Sequence, residues 1–161
     1  MTKENPHSTF EDLKVYQVAR EFRKAMYRVA KQLPDIETFG LAGQMRRAAL
    51  SLTNNIAEGH GRYHYLDQIK FTLQSRGSLE ELIDDLNVCE DERYLPLQKI
   101  ISLKDEGWRL RQLTDGYIRY LRDQKNSSLI REDSPANHAS HEESDTGIEM
   151  NEDPDDSRFT I

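Results

Sequence analysis

The chain has 161 residues, with 22 Lys and Arg against 29 Asp and Glu, a formal net charge of −7 and one cysteine, Cys89. A single cysteine excludes an internal disulfide, and the lack of any run of about 18 apolar residues argues against a membrane-spanning helix. The N-terminus carries no apolar signal segment, so we expect a cytoplasmic protein with no membrane partner.

Charge and apolar content divide the chain into two parts. Residues 1–125 hold 20 Lys and Arg against 19 Asp and Glu, whereas residues 126–161 hold 2 against 10. The second part also contains Pro135 and Pro154, and it has too little apolar surface to offset its chain entropy. We therefore expect one domain over residues 8–125 and a disordered acidic tail over residues 126–161.

The first predicted helix opens at a capping-box pattern, Ser8 to Glu11, and runs to Leu33 before Pro34. Its apolar seam steps by four and three residues, which is typical of helices that cross at a shallow angle in a bundle. The seam consists of Val15, Ala19, Phe22, Met26, Val29 and Leu33. The outer face is basic and consists of Arg20, Arg23, Lys24, Arg28 and Lys31.

The second predicted helix, roughly residues 40–58, carries two parallel stripes and stops at Gly59, where glycine suits a left-handed closing conformation. The apolar stripe is Met45, Ala48, Ala49, Leu52 and Ile56, and the polar stripe is Gln44, Arg47, Ser51, Asn55 and Glu58. We favour a structural role for the polar stripe, as hydrogen-bonding groups that face neighbouring helices or another subunit. A ligand or nucleic-acid site and a solvated face are the alternatives.

The third predicted helix, about residues 65–91, places Phe71, Leu79, Leu82 and Leu86 on one face, and Gly77 is expected to let a neighbouring backbone approach. Its first half is ambiguous, because Leu66, Ile69 and Leu73 mark a different face. The fourth predicted helix begins near Pro96 and runs to about Lys125. Its predicted inward-facing residues are Ile100, Leu103, Leu110, Tyr117 and Leu121. Four helices joined by short loops predict an all-α, antiparallel up-and-down four-helix bundle.

Motifs for catalysis or cofactor binding find little support. His60 and His64 lie near Glu58 but lack a third convincing metal ligand. The acids Glu80, Glu81, Asp84 and Asp85 lack the Glu-x-x-His pairs of di-iron bundles and are interpreted as solvated. Cys89 has no basic neighbour within a turn and is interpreted as a small core residue. We expect no enzyme activity, no metal and no cofactor.

Several short segments, with polar residues at fixed helical offsets, resemble the pattern of a known family. The segments are Phe10 to Leu13, Gln44 to Arg47, Ser51, Asn55 to Gly59, Gly61 and Arg62, Gly77 to Leu79, and Glu81 with Leu82. Over roughly residues 8–122 the chain resembles the four-helix-bundle proteins named for open reading frames in 23S rRNA intervening sequences. The resemblance implies a homopentamer related to the accessory protein of diversity-generating retroelements, with a reverse transcriptase and nucleic acid as partners. Thr53 stands where relatives commonly have proline, so we expect a weaker kink in the second helix.

The basic face of the first helix carries the main functional hypothesis. Glu21 is the only acid between Leu13 and Leu33, and a ring of five such faces would be strongly basic. We therefore predict RNA or DNA binding without sequence specificity through this face, extended by Arg46, Arg47 and Arg62. A solvated helix face is the alternative for the cations, and a protein-binding scaffold is the alternative function. A further hypothesis is that the acidic tail folds back on the basic ring and competes with nucleic acid. The alternative is that the tail only makes the protein more soluble.

Overall fold

A computed structural model of the chain describes residues 9–132, and for residues 129–132 it describes the backbone alone. Contacts divide the chain into two units, Met1–Ser127 and Ser128–Ile161. Within the described range the structure contains no strand and four α-helices: α1 Lys14–Gln32, α2 Leu41–His60, α3 Tyr65–Asp91 and α4 Leu97–Glu132. Two short 3-10 turns, Phe10–Asp12 and Asp35–Glu37, precede α1 and α2. The predicted all-α four-helix fold is confirmed.

Contacts between α2 and α3 show that these helices run in opposite directions. The Ser51 hydroxyl of α2 lies 2.9 Å from the Ser78 hydroxyl of α3. Gly59, near the end of α2, lies against Gln68, near the start of α3. Later positions on α2 therefore meet earlier positions on α3, as short loops require in an up-and-down bundle.

The fourth helix is antiparallel to both of its neighbours in the same way. Near its start, Lys104 pairs with Glu90 at the end of α3, whereas Asp115 farther along pairs with Arg76. Against α1, the Lys99 ammonium donates to the side-chain oxygen of Gln32, the last residue of α1, at 2.7 Å, whereas Gly107 farther along α4 lies beside Phe22 in the middle of α1. These registers place α4 between α1 and α3.

The core consists of the apolar faces that the periodicity predicts. Every residue of the predicted α1 seam and of the α2 apolar stripe is buried, and Met26 and Met45 have no exposed surface. On α3 and α4, the predicted inward residues are buried except Phe71 and Tyr117, which are half-buried. Gly107 is buried as well, and a Cβ there would lie 3.1 Å from the Ile83 side chain.

The first helix begins later than predicted, at Lys14 rather than at Ser8. Leu13 has an extended backbone, with φ −67° and ψ 124°, which interrupts helical hydrogen bonding between the 3-10 turn and α1. In that turn the Asp12 carboxylate accepts a hydrogen bond from the Thr9 N–H at 2.8 Å. The capping residue is therefore Thr9 and not Ser8, which lies outside the described residues.

The two glycines expected to shape α2 and α3 have roles other than those predicted. The second helix continues through Gly59 to His60, so the predicted left-handed closure at Gly59 is wrong. Gly59 is buried because α3 packs against it: an added Cβ would lie 3.0 Å from the Phe71 Cβ and 3.3 Å from the Gln68 carbonyl oxygen. The close approach predicted at Gly77 is also wrong, since among the described residues no atom of a neighbouring helix lies within 4 Å of a Cβ built there.

The first half of α3 buries polar residues where an apolar face is usual. Ile69 is buried with Thr72 and Ser75, whereas Leu66 and Leu73 are exposed. The two hydroxyls are satisfied by carbonyl groups: Ser75 Oγ donates to the Leu52 carbonyl at 2.6 Å, and Thr72 Oγ1 donates to the carbonyl one turn earlier, at 2.7 Å. Hydrogen bonding therefore replaces apolar packing in this turn.

The fourth helix also extends beyond its predicted end, to Glu132 rather than to about Lys125. No proline or glycine occurs between Lys125 and Pro135, so the sequence holds no helix-breaking residue there. The predicted disorder is wrong for residues 126–132, which are helical, and the rest of the predicted acidic tail lies outside the described residues.

Candidate nucleic-acid interface

An open groove of about 560 Å³ lies between α1 and α2, and most of its lining is basic. The lining consists of Arg23, Lys24, Tyr27, Arg28 and Lys31 of α1 and Leu50 of α2. The α1 residues recur at three- and four-residue steps, which places them on one helix face. The structure thus brings four of the five predicted cations together in one groove, and Arg20 is exposed one turn before them.

The Arg23 side chain is anchored to α2. Arg23 Nη1 donates a hydrogen bond to Thr53 Oγ1 at 2.8 Å, and Thr53 is only 1% exposed. A guanidinium group is planar and carries five N–H donors in a rigid fork, so this one bond restricts the orientation of the remaining donors. A proline at position 53 would offer no hydroxyl acceptor, and α2 is unbroken at this position.

The remaining cations of the groove have few acidic neighbours. Lys24 pairs with Glu21 at 2.7 Å, and both side chains are largely exposed, so the pair contributes little to stability. The Lys24 hydrogen bond is the main reason that the pKa of Glu21 is lowered; burial acts in the opposite direction, and the charges of Lys24, Arg20 and Arg28 lower the pKa further. This carboxyl group therefore experiences a net positive field on the outer face of α1.

The three cations expected to extend the basic face lie elsewhere. Arg46 donates to the Thr38 carbonyl oxygen at 3.0 Å. Arg62 pairs with Glu58 and lies over the Phe71 ring, with 4.8 Å from its guanidinium carbon to the ring centre. Arg47 is exposed and belongs to the polar stripe, and its Nη1 atom lies 3.4 Å from a Cβ built at Gly43, one turn earlier on α2. None of the three lines the groove.

The polar stripe of α2 faces α3 along its middle and solvent at its ends. The Asn55 amide nitrogen donates to the Ser51 carbonyl oxygen at 2.9 Å and to Ser51 Oγ at 3.0 Å. Ser51 in turn contacts Ser78, whereas Gln44 and Glu58 are exposed. We call the polar contacts of Ser51, Asn55, Ser75 and Ser78 the α2–α3 seam. A contribution of the stripe to subunit assembly stays a prediction.

Asp85 is a buried carboxyl group, so the expectation that it is solvated is wrong. It is only 4% exposed, and its Oδ2 atom has no hydrogen-bond partner within the described residues. Burial raises the pKa of Asp85 to about 6, and the charges of Asp84 and Glu81 add to the rise. Asp85 follows Ser78 by seven residues, about two turns, and so continues the same face of α3.

Among the described residues, the remaining reactive side chains include no metal-binding cluster and one buried thiol. Across residues 9–132, no cluster of three or more His, Cys, Asp or Glu side chains is arranged to hold a metal ion. Cys89 is fully buried, and burial, followed by the charges of Asp85 and Glu37, raises its thiol pKa to about 11. The thiol is protonated at neutral pH, and the interpretation of Cys89 as a core residue is confirmed. None of the helices described combines the length and apolar character that a membrane crossing requires.

Sequence reasoning missed two residues that line the groove, Tyr27 and Leu50, and the buried Thr53 that accepts a hydrogen bond from Arg23. Tyr27 lies between basic residues one turn away on either side, and that spacing is visible in the sequence. The contributions of Leu50 and Thr53 depend on the register between α1 and α2, which single-helix periodicity does not define.

Comparison with known proteins supports the fold and the family. The chain matches the family model of the 23S rRNA-intervening sequence protein over residues 11–116. It is also similar to the crystal structure of a protein with unknown function from the S23 ribosomal protein family of Bacteroides thetaiotaomicron. The TM-score is 0.61 at 19% identity, over 65% of this chain and 95% of that chain, and this likeness supports the fold alone. No curated protein matches the chain. Because the family model covers more than half of the sequence, the chain belongs to the 23S rRNA-intervening sequence proteins.

Proposed function

We propose that this protein is a non-enzymatic, cytoplasmic nucleic-acid-binding accessory protein that uses the groove between α1 and α2. The observation that carries the proposal is the convergence of Arg23, Lys24, Arg28 and Lys31 on one open groove. Several cations spaced along one helix face can neutralise successive phosphates and release their counterions, which supplies affinity without sequence readout.

Local charge, rather than the charge of the whole chain, favours a polyanionic ligand here. The full sequence has a net charge of −7, but residues 126–161 hold 10 of its acids, and Glu21 alone opposes the cations of α1 between Leu13 and Leu33. At physiological salt the Debye length is about 8 Å, so distant acids are screened from a phosphate in the groove. In the homopentamer that the family resemblance implies, five such grooves would act together, and a reverse transcriptase is the protein partner we propose.

A titration of fluorescent RNA with the purified protein at 50 to 200 mM salt tests the proposal. Arg28→Gln combined with Lys31→Gln removes two exposed charges, and we expect roughly tenfold to a hundredfold weaker binding at 0.1 M salt and a salt slope smaller by about two. Arg119→Gln with Arg122→Gln removes the same charge from exposed positions of α4 and serves as the control. Equal losses in the two double variants, or binding that is independent of salt, would contradict the proposal.

A protein-binding scaffold is the second candidate function, and one surface favours it. Leu97, Ile101 and Trp108 of α4 are 57%, 44% and 46% exposed, and their spacing places them on one side of the helix. An exposed apolar stripe of this kind is typical of contact with another protein. Absence of salt-dependent RNA binding, together with loss of oligomer on Trp108→Ala, would favour the scaffold over the nucleic-acid-binding protein.

A further inference from the structure

We infer that the groove selects single-stranded nucleic acid over duplex, because it places an aromatic ring among its cations. This inference rests on the proposed function, which requires only that a polyanion binds there. Tyr27 lines the groove between Arg23 and Lys31, each four residues away and thus about 6 Å along the helix axis. A base stacked at Tyr27 would therefore have a cation on either side for its flanking phosphates.

The groove has an apolar part that phosphate binding alone does not use. Tyr27 is half-buried and packs against the hydrophobic core, and it also lines the open groove. Core packing therefore restricts the motion of its ring. Leu50, on the α2 side of the same groove, is 45% exposed. A rigid ring beside an exposed leucine is a surface on which a planar base can stack.

Single strands and duplexes present different chemistry to such a surface. The bases of a duplex are stacked on one another, so a duplex meets a protein groove with phosphates, sugars and base edges. A single strand exposes the faces of its bases, and grooves that bind single strands combine cations for the backbone with aromatic rings for the bases. Only the single strand can use Tyr27 and Leu50 together with the cations.

The anchored arginine adds to this selectivity. The hydrogen bond to Thr53 holds Arg23 at one end of the groove, so its remaining donors form a fixed site for one phosphate. A flexible single strand can adjust its backbone to this fixed donor and to the Tyr27 ring at the same time. A duplex has a stiffer backbone, with a persistence length of about 150 base pairs for DNA, and cannot adjust in the same way.

The test measures the affinity of the wild type and of three groove variants for one RNA of about twenty nucleotides. Each protein is titrated with the free strand and with the same strand annealed to its complement. For the wild type we expect tighter binding of the free strand. Tyr27→Leu should weaken single-strand binding by about 5- to 100-fold and leave duplex binding nearly unchanged, because one stacking contact is lost. Tyr27→Phe keeps the ring and should retain single-strand affinity within about twofold. Leu50→Ser alters an exposed side chain with little risk to folding, and we expect a smaller loss that is confined to the single strand.

The outcomes separate this inference from the proposed function. Salt-dependent binding of both RNAs with equal affinity, unchanged by Tyr27→Leu and by Leu50→Ser, would overturn single-strand selectivity and leave the nucleic-acid-binding proposal intact. Salt-independent binding, or none to either RNA, would overturn both. If Tyr27→Leu fails to fold, the selective loss in Leu50→Ser decides the inference by itself.

Discussion

The two sides of α2 hold polar residues in opposite ways. Toward α3, the hydroxyl and amide groups of the seam bond to one another and to backbone carbonyls, as Ser75 does with Leu52 at 2.6 Å. Toward α1, Arg23 has a single anchoring bond, and Lys24, Arg28 and Lys31 line an open groove. Polar groups that satisfy one another specify packing, whereas a cluster of four cations, of which Lys24 pairs with the exposed Glu21, attracts a polyanion. This difference directs the search for function to the α1 side.

Asp85 lies on the face of α3 that carries the seam, but its Oδ2 atom has no hydrogen-bond partner within the described residues. We expect substitution of Asp85 to change stability more than any other substitution discussed below. Its pKa is raised from 3.8 to about 6, so the folded state binds the proton more tightly than the unfolded state. Stability is therefore highest below about pH 4 with respect to this group and falls as the pH rises through about 6. Asp85→Asn removes the buried charge and should stabilise the protein at pH 7.5 by about 2 to 3 kcal/mol.

Urea unfolding at pH 4.5 and pH 7.5 measures this effect. We expect the gain from Asp85→Asn to be much smaller at pH 4.5, because wild-type Asp85 is then mostly protonated in the folded state. Asp84→Asn changes an exposed neighbour by the same charge and should have a smaller effect at both pH values. A variant that is less stable than the wild type at pH 7.5 would show that Asp85 has a partner that compensates its charge.

The tightness of the α2–α3 contact can be tested with a matched pair of glycines. Gly59→Ala forces a Cβ to within 3.0 Å of the Phe71 Cβ and 3.3 Å of the Gln68 carbonyl oxygen, so α3 must shift. We expect a loss of about 1 to 2 kcal/mol, which exceeds the gain in helix propensity. At Gly77 a Cβ meets nothing within 4 Å, and Gly77→Ala should stabilise α3 by about 0.5 to 1 kcal/mol. Equal stabilisation by both substitutions, measured by thermal unfolding, would contradict the close packing.

Features that depend on the periodicity of a single helix could be predicted from the sequence. Four- and three-residue periodicity identifies Met26, Met45 and Leu52 as core residues, and all three are buried without exposed surface. The same periodicity gathers the cations of α1 on one face, and four of them line one groove. These features follow from helix geometry alone.

Features that depend on how two helices meet could not be predicted from the sequence. Gly59 and Gly77 both lie inside helices, and only the register between α2 and α3 decides which of them a neighbour approaches. The bond between Arg23 and Thr53 joins residues that are 30 positions apart. Asp85 was misjudged because carboxylates are usually solvated, and burial of a charge depends on packing that no local pattern encodes.

Lysine footprinting tests the contrast between the two sides of α2 most directly. Lys24 and Lys31 line the groove, whereas Lys70 is exposed on α3. Acylation of the protein with and without bound single-stranded RNA, read by mass spectrometry, reports which lysines the ligand covers. We predict strong protection of Lys24 and Lys31, with Lys70 unchanged. Protection of Lys70 while Lys24 and Lys31 stay reactive would contradict the assignment of the groove.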